Sequence, residues 1–364
     1  MEENLLKSDR FRIKDIAKKA GVSAGTVDRV LHDRPGVSSE SRQKVEEVLK
    51  QIDYKPNMYA SALAMNKSCN IACLIPGYNE KEYWSYVEKG MMHSVERYRD
   101  FNLTLKPFYY DRYDSDAFAK SARKLIEYNP DGVIISPSTC GETEKIVSAF
   151  RENGVPFVFI DSNIESLGQL TFYGQNSHSS GFFAARILSM MANHSEPTVI
   201  FRFIYNGRFG SNQQMDRERG FREYINANYP DIKLHELDLS VDASVNNDEI
   251  MGDFFSKNPE VKRGIIFNSD VYVIGEYMQK YGKNDFKLMG YDLLDRNVEC
   301  IRNGSVDFLI AQQPAIQGEE CVKALFDHII LRKEIKPCNY MPITLISREN
   351  IDFYLDAHIR TNNE

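Results

Sequence analysis

Three sets of residues in this 364-residue chain have the types and spacing for chemistry. The first is Gly21-Val22-Ser23-Ala24-Gly25, which fits the G-x-S-x-G pattern of a nucleophilic serine. That pattern works only on a sharp turn after a buried strand, and here a lysine-rich stretch of helical spacing precedes it, so Ser23 does not read as a nucleophile. The second set is the six cysteines and seven histidines. They contain no C-x-x-C or H-E-x-x-H spacing, so neither a metal site nor a disulfide framework is expected, and the cysteines read as small buried hydrophobes. No Walker-type or dinucleotide glycine loop occurs either. No cofactor and no enzyme activity are expected. The third set is a scatter of carboxylates, amides, one arginine and the only tryptophan: Asn79, Tyr83, Trp84, Asp161, Ser162, Asn163, Arg217, Asn268, Ser269, Asp270, Asp292, Gln312 and Gln313. Planar polar groups that hydrogen-bond adjacent hydroxyls, beside an aromatic face that covers C–H surface, suit a polyhydroxylated ligand.

The elements that would position this third set are legible from residue 69 onward. Short apolar runs at 70–76, 103–109, 132–136, 157–161, 198–203, 233–238, 264–268, 287–291, 306–311 and 342–346 read as strands. Amphipathic stretches between them, among them 115–128, 141–153, 177–192, 213–228, 270–281 and 315–331, read as helices. Strands alternating with helices give parallel sheets, and so many strands suggest two doubly wound lobes. Ligands bind such folds in the crevice beyond the strand C-termini, which is where most of the third set falls. Some members have other readings. Asp270 fits as the N-cap of the next helix, Asn163 as a turn residue, and Trp84 as core.

Charge is unevenly spread in a chain of net charge −7. Residues 1–68 carry 13 Lys and Arg against 10 Asp and Glu, while the remainder carries 32 against 42. A basic head on an acidic body points to a polyanion-binding module. In that head Ile13, Ile16, Ala17 and Ala20 follow helical spacing and Gly21 breaks it. Ser23 stands at an N-cap ahead of a second short helix with Val27, Val30 and Leu31 inward. Ser38 or Ser39 caps a third, striped by Val45, Val48, Leu49 and Ile52. Two short helices joined by a glycine turn are the helix-turn-helix arrangement.

The run DIAKKAGVSAGTVDRVLHDRPGVSSESRQKVEEVLKQIDYKPNMYASAL resembles the DNA-binding head and hinge of the LacI/GalR family over about fifty residues. The resemblance implies a DNA-facing set of Ser23, Ala24, Gly25, Thr26 and Arg29. Ala24, Gly25 and Arg29 stand at the base-reading positions, Thr26 near the phosphates, and Leu63 as the hinge wedge in the minor groove. Arg29 carries most of the expected direct readout, because its guanidinium fork matches guanine. Leu63 also fits a contact between two hinge helices. Asp28 stands where the family usually has Ser, and Ser61 where it usually has Arg. The body resembles the periplasmic-sugar-binding-protein fold that the same family uses as effector domain. Asp161 in FVFIDS, Arg217 in DRERGF, Asp292 in LMGYD and Gln312 in LIAQQP carry over, while Ser269 replaces a common Asn.

The expected architecture is an all-α helix-turn-helix head (1–57) and a hinge helix or linker (58–68), followed by an α/β two-lobed periplasmic-binding-protein-like domain (69–356) of two doubly wound parallel sheets. Lobe 1 is expected at about 69–165 and 314–335, and lobe 2 at about 166–313 and 336–356. The expected ligand set is Asn79, Tyr83, Trp84, Asp161, Ser162, Arg217, Ser269, Asp292 and Gln312. Expected partners are double-stranded operator DNA, a sugar, sugar acid or polyol effector, and a second copy in a homodimer. No export signal or run of about 18 apolar residues is read, so the expected location is the cytoplasm, without a membrane. The other reading is a cytoplasmic sugar-sensing protein with weak or lost DNA binding.

Overall fold

A computed structural model describes residues 11–31, 34–52, 68–114, 116–191, 196–205 and 208–361. The chain divides into two compact units, Met1–Met65 and Asn66–Glu364.

The first unit holds helices α1 (Ile13–Ala20), α2 (Ala24–Leu31) and α3 (Ser39–Gln51). Gly21 ends α1 in the left-handed region at φ +66°, a conformation cheap only without a Cβ. Ser23 then caps α2, its Oγ accepting from the Thr26 amide at 3.1 Å. Ser38 caps α3 by accepting from the Ser41 amide. Ile16, Val27 and Val45 are fully buried and, with Ala17, Ala20, Val30 and Val48, make the small core the three helices share. The hinge expected over 58–68, with Ser61 and Leu63, lies outside the described residues up to position 67.

The second unit is built on two sheets. In chain order its elements begin with β1 (Cys69–Pro76), α4 (Tyr83–Arg97), β2 (Leu103–Tyr110), α5 (Ala117–Tyr128), β3 (Gly132–Ile135), α6 (Cys140–Glu152), β4 (Phe157–Ile160) and β5 (Thr171–Gly174). Then come α7 (Ser177–Met190), β6 (Thr198–Tyr205), β7 (Arg208–Phe209), α8 (Asn212–Asn228), β8 (Leu234–Ser240), α9 (Asn247–Lys257), β9 (Arg263–Ile266), α10 (Val271–Lys280), β10 (Lys287–Tyr291), α11 (Asp295–Asn303) and β11 (Phe308–Ala311). The chain ends with α12 (Pro314–Ile329), β12 (Asn339–Tyr340), β13 (Thr344–Ile346) and α13 (Ile351–Thr361).

The first sheet runs β12-β5-β4-β3-β1-β2, parallel throughout. The second runs β13-β11-β10-β9-β6, with β8 parallel to β6 and the short β7 and β13 antiparallel. Central strands such as β3 and β4 are buried along their whole length, as continuous apolar runs covered by helices on both faces require. The lobe limits differ from those expected. Residues 171–174 and 339–340 pair in the first sheet, so lobe 1 extends beyond residue 165 and the 336–340 segment returns to it. These strands are too short to show a period of their own.

The chain passes between the sheets three times, after Gly174, after Ala311 and between Tyr340 and Thr344. Buried Gln175 ties the crossings together. Its Nε2 donates to the carbonyls of Ala311 (2.8 Å) and Pro342 (2.7 Å), and its Oε1 accepts from Ser180.

One helix crossing occurs twice. In lobe 1, α4 meets α12 so closely that a Cβ on Gly318 would stand 2.1 Å from the Val87 carbonyl oxygen. In lobe 2, α8 meets α7 so closely that a Cβ on Gly181 would stand 1.8 Å from the carbonyl oxygen of Arg217. This second contact fixes the backbone of a residue central to the site.

Candidate functional site

The C-terminal ends of both sets of parallel strands face a shared cavity of about 410 Å³. Lobe 1 contributes Tyr83, Trp84, Tyr110, Ser136, Asp161 and Ser162. Lobe 2 contributes Gln213, Arg217, Asn268, Ser269 and Gln312.

Asp161 and Asp292 stand at matching places in the two lobes. Each follows a central strand, and both adopt the left-handed region, at φ +68° and +69°. The amide of each donates to the neighbouring strand, to Tyr173 O at 2.9 Å and Ile310 O at 3.0 Å. Aspartate tolerates this conformation better than most residues, and such conformations cluster at functional sites.

A buried polar chain links the lobes. Gln213, at the start of α8, donates through Nε2 to Asp161 Oδ1 and to Gln312 Oε1, both at 2.9 Å. Arg217, one turn later, donates to the same Gln312 oxygen and to Phe267 O at 2.8 Å. Its guanidinium also lies 3.9 Å from the Tyr291 ring centroid. Gln312 Nε2 donates to the Asp292 carboxylate at 2.9 Å, which also accepts from Ser269 Oγ at 2.7 Å. Asn297 secures the layer beneath by donating to the carbonyls of Ser269, Tyr291 and Asp292.

Burial sets the charge states. Asp292 is 1% exposed, and desolvation lifts its pKa from 3.8 to about 6 against the opposing pull of Arg217. Asp161 is raised for the same reason, with Arg217 again opposing. Burial raises Tyr83 further above its ordinary value, and the nearby Asp161 charge adds to this. The Tyr83 hydroxyl faces Asp161 without closing a hydrogen bond of good geometry, and Arg217 Nε–H has no partner among the described residues. Both donors are enclosed in the cavity wall without a partner among the described residues, each at a cost of about 1–3 kcal/mol.

Residues 12–57 match the family model of bacterial regulatory proteins of the lacI family, and residues 71–333 match that of the periplasmic binding protein domain. A solved structure from Bacteroides fragilis, described as that of a LacI transcriptional regulator, is 47% identical. It superposes with a TM-score of 0.77 over 79% of this chain and 100% of that one.

This chain belongs to the LacI family.

Catabolite control protein B of Bacillus subtilis is 24% identical to this LacI-family regulator over 320 residues, which is 83% of this chain and 95% of that protein. Catabolite control protein A of Streptococcus mutans is 32% identical over 150 residues. That match spans 41% of this chain and 43% of the streptococcal protein. A glucose-galactose binding protein, GanP of Geobacillus stearothermophilus, is 19% identical with a TM-score of 0.68 over 78% of this chain and 99% of that one, a likeness of fold. Members of the LacI family are DNA-binding transcription regulators and not enzymes.

Against the residues expected from sequence, the regulator's cavity is lined by Tyr83, Trp84, Asp161, Ser162, Arg217, Ser269 and Gln312. Three placements differ in kind. Tyr83 and Trp84 stand in the first turn of α4 and not in a loop. Asn79 is exposed, bonds to Glu82, and borders an outer chamber and not this cavity. Asp292 lies one layer behind the wall and reaches the cavity only through Ser269 and Gln312. Asp270 makes no side-chain cap to its helix; it accepts from Asn268 at 2.8 Å.

Sequence reasoning missed Gln213, Tyr110, Arg112 and Ser136. Gln213 had a readable signal, because Gln213, Gln214 and Arg217 form a polar stripe on α8 above apolar Phe221 and Ile225. In the first unit, Ser23 at the cap of α2 and Ala24, Gly25 and Arg29 on it are exposed, and Thr26 is half-buried with its hydroxyl 2.9 Å from Ser23 Oγ. Asp28 pairs with Arg34 at 3.2 Å, which offsets the carboxylate on that face. No helix among the described residues is long and apolar enough to cross a membrane.

Proposed function

We propose that this protein binds a pseudo-palindromic operator as a homodimer in the cytoplasm, and that a small polyhydroxylated effector held between the lobes adjusts its operator affinity. The observation that carries the effector reading is the closed-in cavity between the lobes, lined by Asp161, Gln213, Ser269 and Gln312 with the Trp84 ring beside them. A sugar presents both acceptors and donors at adjacent carbons, and an apolar face for the indole. Asp161 and Gln213 receive and give hydrogen bonds on either side. Asp292 keeps Gln312 and Ser269 in place without touching the ligand.

The likeness of fold to GanP, described as a glucose-galactose binding protein, and to solute-binding proteins solved with D-arabinose supports the sugar class. For DNA, the exposed N-terminus of α2 enters the major groove, Arg29 reads a guanine, Thr26 approaches a phosphate, and Leu63 wedges into the minor groove at the centre of the site. Effector and operator are coupled because the ligand binds the closed arrangement of the lobes better than the open one.

The test has two steps. A random duplex pool is selected on the full-length protein, and the enriched site is then titrated by fluorescence anisotropy with and without a panel of neutral pentoses and hexoses. A two-fold symmetric site whose affinity changes with one sugar, and stops changing in Asp161→Asn, supports the reading. Enrichment of no symmetric sequence would overturn the DNA half, and indifference to every sugar the effector half.

A further inference from the structure

The cavity just described has a larger neighbour. An outer chamber of about 710 Å³ shares Trp84, Arg112, Asn268 and Ser269 with the inner one, so the two meet at a common waist. A sugar ring of about twelve non-hydrogen atoms, each taking less than the roughly 30 Å³ of a liquid water molecule, fits within the inner cavity alone. The outer chamber is left for something more.

Its lining is made for saccharide as well. Tyr113 from lobe 1 and Tyr272 from lobe 2 supply aromatic rings. Arg296, 3.8 Å from the Tyr272 ring centroid, braces one of them, and Tyr205, 5.9 Å from Tyr113, braces the other. Glu82, Asp242 and Asn247 offer acceptors for hydroxyl groups.

The balance of charges disfavours one class of ligand. Asp111, Asp114, Glu142 and Asp161 border the inner cavity against Arg112 and Arg217, and the outer chamber adds Glu82, Asp242 and Asp270 against Arg296 behind the Tyr272 ring. Carboxylates on this scale repel a phosphate or a sugar acid at close range.

We infer that the effector is an uncharged saccharide of at least two rings, one held in the inner cavity and the next between Tyr113 and Tyr272. This rests on the sugar reading above and narrows it. A ligand of that length also touches both lobes twice, at Gln213 with Asp161 and again at the tyrosine pair.

Isothermal titration of the full-length protein tests it, using glucose, galactose, cellobiose, maltose, lactose and gentiobiose, with glucose 6-phosphate and glucuronate as anionic probes. One disaccharide should bind on the order of tenfold tighter than either of its component monosaccharides, the difference one stacked ring commonly makes. The double variant Tyr113→Ala, Tyr272→Ala should erase that advantage and leave monosaccharide binding unchanged, which also shows the variant is folded. A monosaccharide that binds as tightly as every disaccharide, in parent and variant alike, would overturn the two-ring site while leaving the sugar reading intact. Tighter binding of either anion would overturn the charge argument, and no binding by any sugar would remove both readings.

Discussion

Asp292 makes ligand-free stability depend on pH in a way that one substitution isolates. Its carboxylate is enclosed, and burial moves its pKa from 3.8 to about 6 in the folded chain. The folded form therefore holds this proton more tightly than the unfolded form. The stabilisation from that proton is complete below about pH 4, falls as pH rises, and is gone above the folded value near 6. The interval corresponds to about 3 kcal/mol. For a folding unit of this size each kcal/mol moves Tm by roughly 2 °C, so the loss is about 6 °C. In Asp292→Asn the shape is kept and the titration is absent, while every other carboxylate is shared with the parent. Differential scanning calorimetry of both proteins without ligand, at steps from pH 4 to 7, should show the variant gaining on the parent by about 6 °C across that range. Parallel Tm profiles would show that Asp292 does not titrate there, and that Arg217 and Gln312 hold it ionised at no cost.

Other substitutions probe the remaining links. Arg29→Ala should weaken operator binding by about 1–3 kcal/mol and relax preference at one base pair per half-site, read by competition with singly substituted duplexes; retained preference would assign the readout elsewhere. Leu63→Ala should reduce operator bending in a gel-phasing assay, and an equally bent duplex would count against the wedge. Gly181→Ala and Gly318→Ala should each destabilise by about 1–3 kcal/mol, since both added methyls meet backbone oxygen within about 2 Å. Gly181→Ala displaces Arg217 and Gly318→Ala displaces the helix that carries Tyr83 and Trp84, so calorimetry should find effector binding weakened in both, and an unchanged Kd in either would place that helix crossing outside the site's support. Gln213→Ala removes a hydrogen bond to a charged partner and should lower effector affinity roughly 10- to 100-fold by titration, with an unchanged Kd placing Gln213 outside the site.

Much of the fold was legible because its signals are local. Gly21 and Ser23 mark a turn and a cap whatever surrounds them, and FVFI or GVII can only be buried strands in a chain that alternates with amphipathic helices. The strands that were missed, Asn339–Tyr340 among them, exist through pairing with partners far along the chain, which no local period records. The site follows the same division. Asp161 and Gln312 stand directly after apolar strands, so position alone exposes them. Gln213 stands on a helix, and only the superposition of two lobes shows that its amide meets Asp161. Asp292 follows a strand as Asp161 does, yet Ser269 and Gln312 cover it, and what covers a residue is a matter of three dimensions.

Gln175 has a consequence for how the lobes move. Three separate crossings could in principle bend independently, allowing twist, shear and closure in any mixture. One side-chain amide that grips the second and third crossings, while belonging to the first, binds all three into a single pivot. A tie of this kind favours bending of the three crossings together over bending of each alone. On the proposed closure mechanism, effectors of different shape would then differ chiefly in how far they turn that pivot, and Gln175→Ala would loosen it.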